Sequence, residues 1–235
     1  DGNLDVVTTT NGFGYRTVSV LLGDGDGTLG AHREYPIGGE PYAVVIADLD
    51  GDGKTDVATA NSTSTVSVLL GNGDGTLAPR TDYPTGAAPK GIAVRDLNGD
   101  GVPDVVTANR DANSISVLPG RSDGTLGART DYWSGGGQPV AVLAADMDRD
   151  GTCDLVTANW EAGTVSVLLG NRDGSFGRAL RLDTATGSLG VALADVNRDS
   201  ILDLAVVHEA SQIVSVLTGV GDGTFGARVD LSTAS

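Results

Sequence analysis

The sequence predicts an all-β protein assembled from five copies of one unit, each unit a small antiparallel sheet. A repeat with a period of about 49 residues runs through the 235 residues of the chain. Glycine occupies 35 positions and aromatic residues make up only 4%, a composition that favours many tight turns over helices. Short runs that alternate apolar with small polar residues, such as residues 65–70, are typical of strands covered unequally on their two faces.

The repeat is most visible in an acidic motif that spans residues 48–56. The motif returns at 96–104, 146–154 and 195–203, and residues 1–5 read as a truncated copy of it. Each copy is followed by an apolar run, a second run resembling Thr-Val-Ser-Val-Leu-Leu-Gly, and an Asp-Gly-Thr/Ser-Leu/Phe turn. The whole unit therefore repeats, and not only its acidic part.

Each unit reads as four strands, A to D, joined by turns. In the second unit strand A covers residues 43–47, B 57–60, C 66–70 and D about 80–83. Four short strands at this period are the signature of a β-propeller blade. We therefore predict a single β-propeller domain, or a fragment of one, over the whole chain. Its units are expected at about 1–47, 48–95, 96–145, 146–194 and 195–235.

Strands B, C and D occur in all five units, but strand A is missing from the first unit. A blade without its A strand leaves a sheet edge unpaired, and unpaired edges attract other chains. Two explanations remain open at this point. The chain is a fragment of a longer propeller, or a neighbouring molecule donates the strand.

The acidic motif places oxygen-bearing side chains at alternate positions of a tight loop between strands A and B. Oxygens at positions 1, 3, 5 and 9, with a backbone carbonyl at position 7, suit Ca²⁺. Glycine at position 6 in three copies permits the sharp turn that such a loop needs. We predict about four structural calcium sites. Their expected ligands are Asp48, Asp50, Asp52, Lys54, Asp56, Asp96, Asn98, Asp100, Val102, Asp104, Asp146, Asp148, Asp150, Thr152, Asp154, Asp195, Asn197, Asp199, Ile201 and Asp203.

The four complete copies differ in charge. The copies that begin at Asp48 and Asp146 offer four carboxylates each, whereas Asn98 and Asn197 each replace one carboxylate in the other two. Ser200 stands where the other copies have glycine, so we expect the last loop to bind calcium most weakly. The alternative, that Asp and Gly serve only as turn residues, does not account for four copies with the same carboxylate spacing.

The overall charge limits the classes of partner. The chain carries 31 acidic and 15 basic residues, a formal net charge of −16. This charge repels phosphate backbones and anionic lipids, so neither nucleic acid nor a membrane surface is an expected partner. No apolar run is long enough to cross a bilayer. Cys153 is the only cysteine, so no disulfide forms within the chain.

The acidic loops, together with Phe176-Gly177, Phe225-Gly226 and Leu77-Ala78-Pro79, resemble the FG-GAP (VCBS-type) repeat over essentially the whole chain. That repeat builds the propeller of integrin α-subunits and many bacterial extracellular proteins. The resemblance implies calcium in the A–B loops, a secreted or cell-surface location, and a ring usually of seven blades. It also implies adhesion or sugar binding, because lectins with similar repeats are known.

The strand order predicts where a ligand would bind. The A–B and C–D loops emerge on one face, so the calcium loops leave the opposite face, formed by the B–C and D–A loops, free for ligands. Aromatic rings beside carboxylates and amides on that face are typical of sugar sites, although the rings could instead cover blade edges. The candidate ligand residues are Phe13, Tyr15, Arg110, Asp111, Trp160, Glu161, His208 and Glu209 in the B–C loops, and Glu40, Trp133 and Gln138 in the D–A loops.

A second group of aromatic residues is assigned to packing. Tyr35, Tyr83 and Tyr132 recur at one position of the repeat, where Leu182 and Leu231 replace them in the last two units. A position that alternates between Tyr and Leu indicates contact within or between blades rather than a ladder of ligand sites.

Catalysis is the least supported function. His32 and His208 are the only histidines and lie in different parts of their units, and no nucleophile motif or phosphate loop is present. We predict a non-enzymatic, calcium-stabilised binding module for a glycan or an extracellular protein. The alternative is a structural or self-assembling scaffold in which copies exchange strands. A third hypothesis is the non-catalytic propeller of a polysaccharide-active enzyme.

Overall fold

The computed structural model describes residues 2–12, 15–209 and 211–233, and these residues form nineteen strands in five antiparallel sheets. Sheet 1 contains β1 Val6–Gly12, β2 Tyr15–Leu21 and β3 Arg33–Pro36. Sheet 2 contains β4 Pro41–Ala47, β5 Asp56–Asn61, β6 Thr65–Leu69 and β7 Thr81–Pro84. Sheet 3 contains β8 Pro89–Arg95, β9 Asp104–Asn109, β10 Ser114–Leu118 and β11 Thr130–Trp133.

The last two sheets repeat the same pattern. Sheet 4 contains β12 Pro139–Ala145, β13 Asp154–Asn159, β14 Thr164–Leu168 and β15 Leu180–Asp183. Sheet 5 contains β16 Ser188–Ala194, β17 Asp203–His208, β18 Ile213–Leu217 and β19 Val229–Ser232. The described part of the chain contains no helix with the length and hydropathy needed to span a bilayer.

Within each sheet every strand pairs antiparallel with the next strand in sequence, so sheets 2 to 5 are simple meanders of the predicted strands A to D, and sheet 1 is a meander of strands B to D. The predicted all-β class and the repeated antiparallel sheets are confirmed. In sheet 2 the predicted strand bounds differ from the observed ones by at most two residues. Sheet 1 has three strands among the described residues and lacks strand A, as the repeat indicated.

The hydrophobic core lies between successive sheets rather than inside any one of them. Between sheets 2 and 3, Ala58 and Val66 of one sheet pack against Val105 and Leu118 of the next. Three further clusters occupy the other junctions from sheet 1 to sheet 5. The sheets therefore follow one another as the blades of a β-propeller do, because each buries its apolar faces only against its neighbours.

The recurrent tyrosines belong to these junctions, which confirms their assignment to packing. Tyr35 and Tyr83 pack against the clusters on either side of sheet 2. Tyr132 meets Phe176 of sheet 4 edge to face, with ring centroids 5.4 Å apart and an interplanar angle of 83°. Leu182 takes the same role, but Leu231 of the last sheet is 53% exposed.

One side of sheet 5 has no neighbouring sheet among the described residues. At the second position of the acidic motif, Leu49, Leu97 and Met147 are 2–3% exposed, whereas Val196 is 58% exposed. Val207 and Leu231 of the same sheet are also about half exposed. These side chains occupy positions that the next sheet covers elsewhere in the repeat.

A buried carboxylate ties each acidic loop to the end of strand C. Asp56 is 1% exposed, its Oδ2 accepts the Leu49 N–H at 2.7 Å, and its Oδ1 accepts the Gly71 N–H at 2.7 Å. We call this pair of hydrogen bonds the carboxylate latch. The latch recurs at Asp104, Asp154 and Asp203, with contacts of 2.7–3.0 Å.

The latch requires glycine at its strand C end. A Cβ on Gly71 would lie 2.1 Å from the carbonyl oxygen of Thr55, far inside van der Waals contact. Gly120, Gly170 and Gly219 meet the equivalent carbonyl oxygens at 2.1–2.3 Å. Strand C can approach the acidic loop this closely only because no side chain intervenes.

We expect Gly71→Ala to destabilise the protein by about 3 kcal/mol, since overpacking of a rigid backbone contact costs about 1–3 kcal/mol and the latch hydrogen bond is also strained. Urea unfolding monitored by circular dichroism measures this loss. Gly177→Ala is the control, because its Cβ would find its nearest atom at 3.6 Å. Equal stability of the two variants would contradict the role given to the latch.

Candidate functional site

The acidic loops and the C–D turns share one face of the molecule, as the strand order predicted. A Cβ on Gly124, in the C–D turn of sheet 3, would lie 3.2 Å from Cβ of Asp50 in the acidic loop of sheet 2. Gly174 of sheet 4 has the same relation to Asn98 of sheet 3, at 3.0 Å. Each C–D turn therefore packs beside the acidic loop of the preceding unit.

Two of the acidic loops bring three carboxylates close enough to hold one metal ion. The clusters are Asp48, Asp50 and Asp52, and Asp146, Asp148 and Asp154. In each cluster the candidate ligand oxygens lie within 4.8 Å of one another. Both clusters fall in the loops with four carboxylates. The loops with asparagine, at 96–104 and 195–203, form no cluster of three carboxylates among the described residues.

The second cluster contains an oxygen that no donor satisfies. Asp146 Oδ1 is shielded from solvent and accepts no hydrogen bond within the described residues, while its Oδ2 accepts the Gly151 N–H at 3.0 Å. In the first cluster the equivalent Oδ1 of Asp48 accepts the Gly51 N–H at 2.8 Å. A shielded carboxylate oxygen without a donor is costly, and a cation beside it removes that cost. The residues around Asp146 therefore fit a metal ion.

The first cluster already contains a counter-charge. Lys54 Nζ lies 2.6 Å from Asp52 Oδ2, and this hydrogen bond lowers the pKa of Asp52 and raises that of Lys54. In the second cluster's loop Thr152 replaces the lysine, and its hydroxyl bonds to Asp150, whose pKa this hydrogen bond lowers. An incoming cation would compete with an ammonium group at the first cluster but with none at this position of the second.

The predicted ligands at positions 7 and 9 take part in the loop's own hydrogen bonds. The position-7 N–H groups donate to the position-5 side chains at 2.7–2.8 Å; the donors are Lys54, Val102, Thr152 and Ile201. The aspartates at position 9 of the acidic motif form the carboxylate latch described above. Burial raises the pKa of Asp56, Asp104 and Asp154, against the opposing effect of the two backbone N–H donors. Each latch oxygen keeps a second lone pair, so a latch aspartate can also coordinate a cation.

A cavity of about 580 Å³ lies on this acidic face between the loops of sheets 3 and 4. Asp96, Asp146 and Arg172 line it, with Cys153 at its base. Burial raises the pKa of the Cys153 thiol to about 11, so the thiol is protonated and unreactive at neutral pH.

The opposite face carries a second cavity, of about 430 Å³, built on a repeated backbone feature. At the start of strand A the pairing with strand B skips one residue in each of sheets 2 to 5, which makes a β-bulge. The skipped residues are Tyr42, Lys90, Val140 and Leu189. All four line the cavity, because a bulge turns its extra side chain out of the ladder. We call this cavity the bulge pocket.

The other wall of the bulge pocket comes from the first residue of each B–C turn. Arg110, Trp160 and Glu209 line it, from sheets 3, 4 and 5. The backbone N–H of each of these residues donates to a carbonyl oxygen that lies two residues before the bulge of the same sheet. The acceptors are Ala88, Gln138 and Gly187 respectively, at 2.9–3.0 Å. The backbone frame is thus the same in each sheet, while the side chains it presents differ in size and charge.

The side chains in the bulge pocket contact one another. Lys90 Nζ lies 3.1 Å from the centroid of the Tyr42 ring. Trp160 Nε1 donates to Glu209 Oε2 at 2.7 Å. The Arg110 guanidinium lies 5.9 Å from the Trp160 ring. An aromatic surface, two cations and one carboxylate therefore converge on a single concave site.

The structure brings together part of the predicted ligand set. Arg110, Trp160 and Glu209 line the bulge pocket, and Gln138 Oε1 accepts the Arg110 Nε–H at 3.0 Å. Glu40, Asp111 and Glu161 lie on the same face but do not line the pocket. Trp133 is 59% exposed at the end of the outer strand β11, and not in a D–A loop as the sequence suggested.

The positions of two predicted ligand side chains in the first unit, Phe13 and Tyr15, stay untested. Phe13 lies outside the described residues, and Tyr15 is described only as the first residue of β2. Sequence analysis missed Tyr42, Lys90, Val140 and Leu189. One feature of the sequence could have indicated these positions. In three units the residue varies directly after a proline that is always present, namely Pro41, Pro89 and Pro139.

His208 faces the interior, contrary to its assignment as a ligand residue. It is 8% exposed, and its Nε2 lies 2.9 Å from Ser215 Oγ, which donates to Asp230 at 2.7 Å. In sheets 2 to 4 an asparagine takes this place and donates to the equivalent serine at 2.7–2.9 Å. His208 therefore replaces asparagine in a buried network across strands B, C and D.

This network differs from a hydrolase triad. Its serine lies between the histidine and the aspartate, whereas a catalytic triad places the histidine between the other two. Burial lowers the pKa of His208, with Arg228 adding to the effect and Asp230 opposing it, so the imidazole is held neutral.

The family follows from a comparison of the sequence with known repeats. The FG-GAP-like repeat matches four overlapping segments, residues 1–59, 48–107, 96–157 and 146–206. This chain belongs to the FG-GAP-like repeat family. The matches begin one acidic motif apart, so the family repeat and the observed sheet-to-sheet unit coincide. No protein of curated function matches the sequence.

Solved structures that share the fold of this FG-GAP-like protein include three from bacteria. A protein of unknown function from Desulfotomaculum acetoxidans has a TM-score of 0.69 at 18% identity, over 98% of this chain and 72% of that one. A protein from Lactobacillus plantarum has a TM-score of 0.73 at 16% identity, over 99% and 69%. A Bacteroides uniformis protein, provisionally assigned as a 6-phosphogluconolactonase, has a TM-score of 0.72 at 18% identity, over 99% and 68%. At such identities the likeness concerns the β-propeller-like fold alone.

We expect His208→Asn to remove one pH-dependent component of stability. Because burial lowers the pKa of His208 in the folded state, the unfolded chain binds the proton more readily. Wild-type stability therefore falls as the pH drops below the unfolded pKa of about 6.5, by up to about 1.4 kcal/mol per pH unit. Urea unfolding between about pH 7.5 and about pH 5.5 measures the slope, which should be smaller in the variant.

The matched control is His32→Asn, because His32 is an exposed histidine beside Glu34. This variant should keep the wild-type slope. A slope in His208→Asn that equals the wild-type slope would show that the buried histidine does not control this component.

Proposed function

We propose that this FG-GAP-like protein is a calcium-stabilised extracellular binding module that recognises carbohydrate through the bulge pocket. The observation that carries the proposal is the repeated bulge and turn frame. It recurs in four sheets while presenting a different side chain at each position, and these side chains line a cavity of about 430 Å³. Sites for small ligands have volumes of about 300–1,000 Å³.

The chemistry of the pocket suits a sugar. A sugar ring offers C–H groups that pack on an aromatic face and hydroxyl groups that need donors and acceptors. Trp160 supplies the aromatic face, and its N–H bond to Glu209 fixes the orientation of the indole. Glu209 Oε1 remains as an acceptor, and Arg110 and Lys90 are donors. Small polar groups in fixed positions around an apolar surface are the usual composition of such a site.

Calcium is proposed for the acidic loops on the other face. Carboxylate and backbone oxygens on alternate loop positions are the ligands that this hard cation prefers. The unsatisfied oxygen of Asp146 supports an ion at the second cluster, where Asp146, Asp148 and Asp154 would hold it. The ion would neutralise clustered carboxylates and stiffen the loop that the latch joins to strand C. Four such ions would halve the formal charge of −16.

Binding is proposed rather than catalysis. The residues that line the bulge pocket include no histidine, serine or cysteine. The two histidines lie elsewhere, His208 in the interior and His32 at an exposed position beside Glu34. The provisional lactonase assignment belongs to the Bacteroides protein, which shares a fold with this chain at 18% identity.

A second candidate is self-assembly, favoured by the uncovered side of sheet 5 and by the three-stranded sheet 1. Val196 and Val207 leave apolar surface open at one end of the row of sheets, and Leu4 and Val6 do so at the other. Unlike surfaces at two ends would give a head-to-tail contact between copies of this chain. Sedimentation velocity distinguishes this candidate, since assembly makes the sedimentation coefficient rise with concentration.

We expect chelation of calcium to lower the melting temperature by about 10–20 °C. Two sites occupied at about a hundredfold above their dissociation constants contribute about 5 kcal/mol, and 1 kcal/mol corresponds to about 2–4 °C for a chain of this size. Differential scanning calorimetry with calcium and with EGTA measures the shift. An unchanged melting temperature would contradict the assignment of calcium to the acidic loops.

The variant Asp146→Asn tests the second cluster within the same calorimetric experiment. It should reduce the calcium-dependent shift and lower the bound calcium by about one ion per chain. Asp183→Asn removes the same charge from an exposed outer strand and serves as the control, because the Asp183 side chain is 86% exposed.

We expect Trp160→Ala to weaken glycan binding and Trp133→Ala to leave it unchanged. These are the only two tryptophans, and both have exposed surface, but only Trp160 lines the bulge pocket. Loss of a stacked aromatic ring should reduce affinity at least about tenfold. A glycan array on the calcium-loaded protein identifies the sugar, and calorimetry with that sugar compares the variants. An array without hits from folded protein would overturn the carbohydrate proposal.

A further inference from the structure

The two faces of the molecule differ in charge. Of the 31 acidic residues, only Glu40, Asp111, Glu161 and Glu209 lie in the B–C and D–A loops, and most others lie in the acidic loops and C–D turns. Lys90 and Arg110 stand on the side with few carboxylates, in the bulge pocket. A pocket with two cations is therefore set into the weakly charged face of a strongly acidic protein.

The partners of these two cations are neutral. Lys90 contacts the Tyr42 ring, and Arg110 bonds to the Gln138 side-chain oxygen and lies over Trp160. Among the described residues, no carboxylate lies within ion-pair distance of either one, in contrast to Arg80, Arg129 and Arg228, each paired with an aspartate two residues on. The neutral contacts hold both cations in place without neutralising them.

The side chain of Gln138, from the neighbouring sheet, holds the Arg110 guanidinium in place. Gln138 adopts a left-handed conformation, φ 55°, which is unfavourable for a residue with a side chain. Its N–H donates to Asn113 Oδ1 at 2.7 Å, and its side-chain oxygen holds the Arg110 guanidinium. Ala88 and Gly187, the equivalent residues of sheets 3 and 5, adopt the same left-handed conformation, so the conformation belongs to the repeated frame. Gln138 differs from them in carrying a side-chain oxygen that accepts from Arg110.

The carboxylate in the pocket supplies an acceptor. Glu209 uses Oε2 for the Trp160 N–H, and its Oε1 is free to accept a hydroxyl hydrogen. A ligand that satisfies the whole site would combine a negative group for Lys90 and Arg110, a hydroxyl for Glu209, and a ring face for Trp160. A sugar that carries a carboxylate combines all three.

We infer that the bulge pocket binds acidic saccharides of the uronic acid class, with Lys90 and Arg110 as the residues that select the carboxylate. This inference rests on the proposed carbohydrate function and names its ligand class. Charge-assisted hydrogen bonds to the carboxylate supply the selectivity, because a neutral sugar leaves both cations without a counter-charge. The net charge of the protein is −16, so most of its surface repels an acidic saccharide. Such a ligand is therefore attracted only where Lys90 and Arg110 stand.

The test compares one saccharide in two charge states. A tetrasaccharide of alternating glucuronic acid and N-acetylglucosamine is titrated by calorimetry against the calcium-loaded protein, beside its neutral methyl ester. We expect the acid to bind about tenfold or more tightly than the ester. Raising the salt concentration should reduce this preference, because salt screens the charges.

Variants assign the preference to the two cations. Lys90→Gln and Arg110→Gln should each lose most of the preference for the acid, whereas Lys90→Arg, which keeps the charge, should retain it. Arg16→Gln removes a charge from an exposed position at the start of β2 on the same face and should leave the preference unchanged. Circular dichroism and melting temperature establish that each variant is folded.

The outcomes separate the inference from the function on which it rests. Equal affinity for the acid and the ester, or array hits confined to neutral glycans, would overturn the acidic ligand class and leave carbohydrate binding in place. Absence of any glycan binding would overturn both. A preference for the acid that survives both glutamine substitutions would overturn the roles of Lys90 and Arg110. Tighter binding of an acidic peptide than of the saccharide would overturn the saccharide class.

Discussion

The carboxylate latch is the interaction on which the other features of this protein depend. A buried aspartate accepts one N–H from its own acidic loop and one from the glycine at the end of strand C, so it fixes the loop between strands A and B against the centre of the sheet. The same loop presents the carboxylates that would bind calcium, and its second residue packs into the junction with the next sheet. The latch aspartate therefore joins the loop that would bind the metal to the strands and to the contact between sheets. A carboxylate buried at this point would be costly without the two backbone donors.

The repeat keeps one face of the molecule nearly constant and varies the side chains on the other. On the acidic face the same residues return in each unit, because every loop has to make the same latch and the same turn. On the other face the backbone also repeats, as a β-bulge beside the first residue of the B–C turn, but the side chains change from unit to unit. A constant frame with variable side chains allows one pocket to combine an aromatic ring, two cations and a carboxylate from three different sheets. The same division occurs wherever a rigid scaffold carries binding residues at its strand ends.

The sequence predicted the sheets well and the lining of the bulge pocket only in part. Strand bounds, the missing strand A and the packing role of Tyr35, Tyr83 and Tyr132 follow from a period of about 49 residues and from local alternation, which act within one unit or between adjacent units. Arg110, Trp160 and Glu209 were singled out because they are variable residues of the B–C loops, and all three line the bulge pocket. Lys90 and Tyr42 were missed because they sit inside a strand, and only the bulge reverses the direction in which their side chains point. His208 was misplaced because a polar residue at a strand end reads as exposed, while here it continues a buried hydrogen-bond network.

The sequence by itself determined the number and order of the strands, the position of the acidic loops and the chemistry of their side chains. These features depend on residues close together in the chain, whose spacing can be read directly. The tertiary structure decided which side chains share a cavity, which carboxylates come within reach of one ion, and which cations keep neutral partners. Each of these depends on contacts between different sheets or on one unpaired residue in a ladder. Such contacts are set by how whole sheets pack, and no local pattern encodes them.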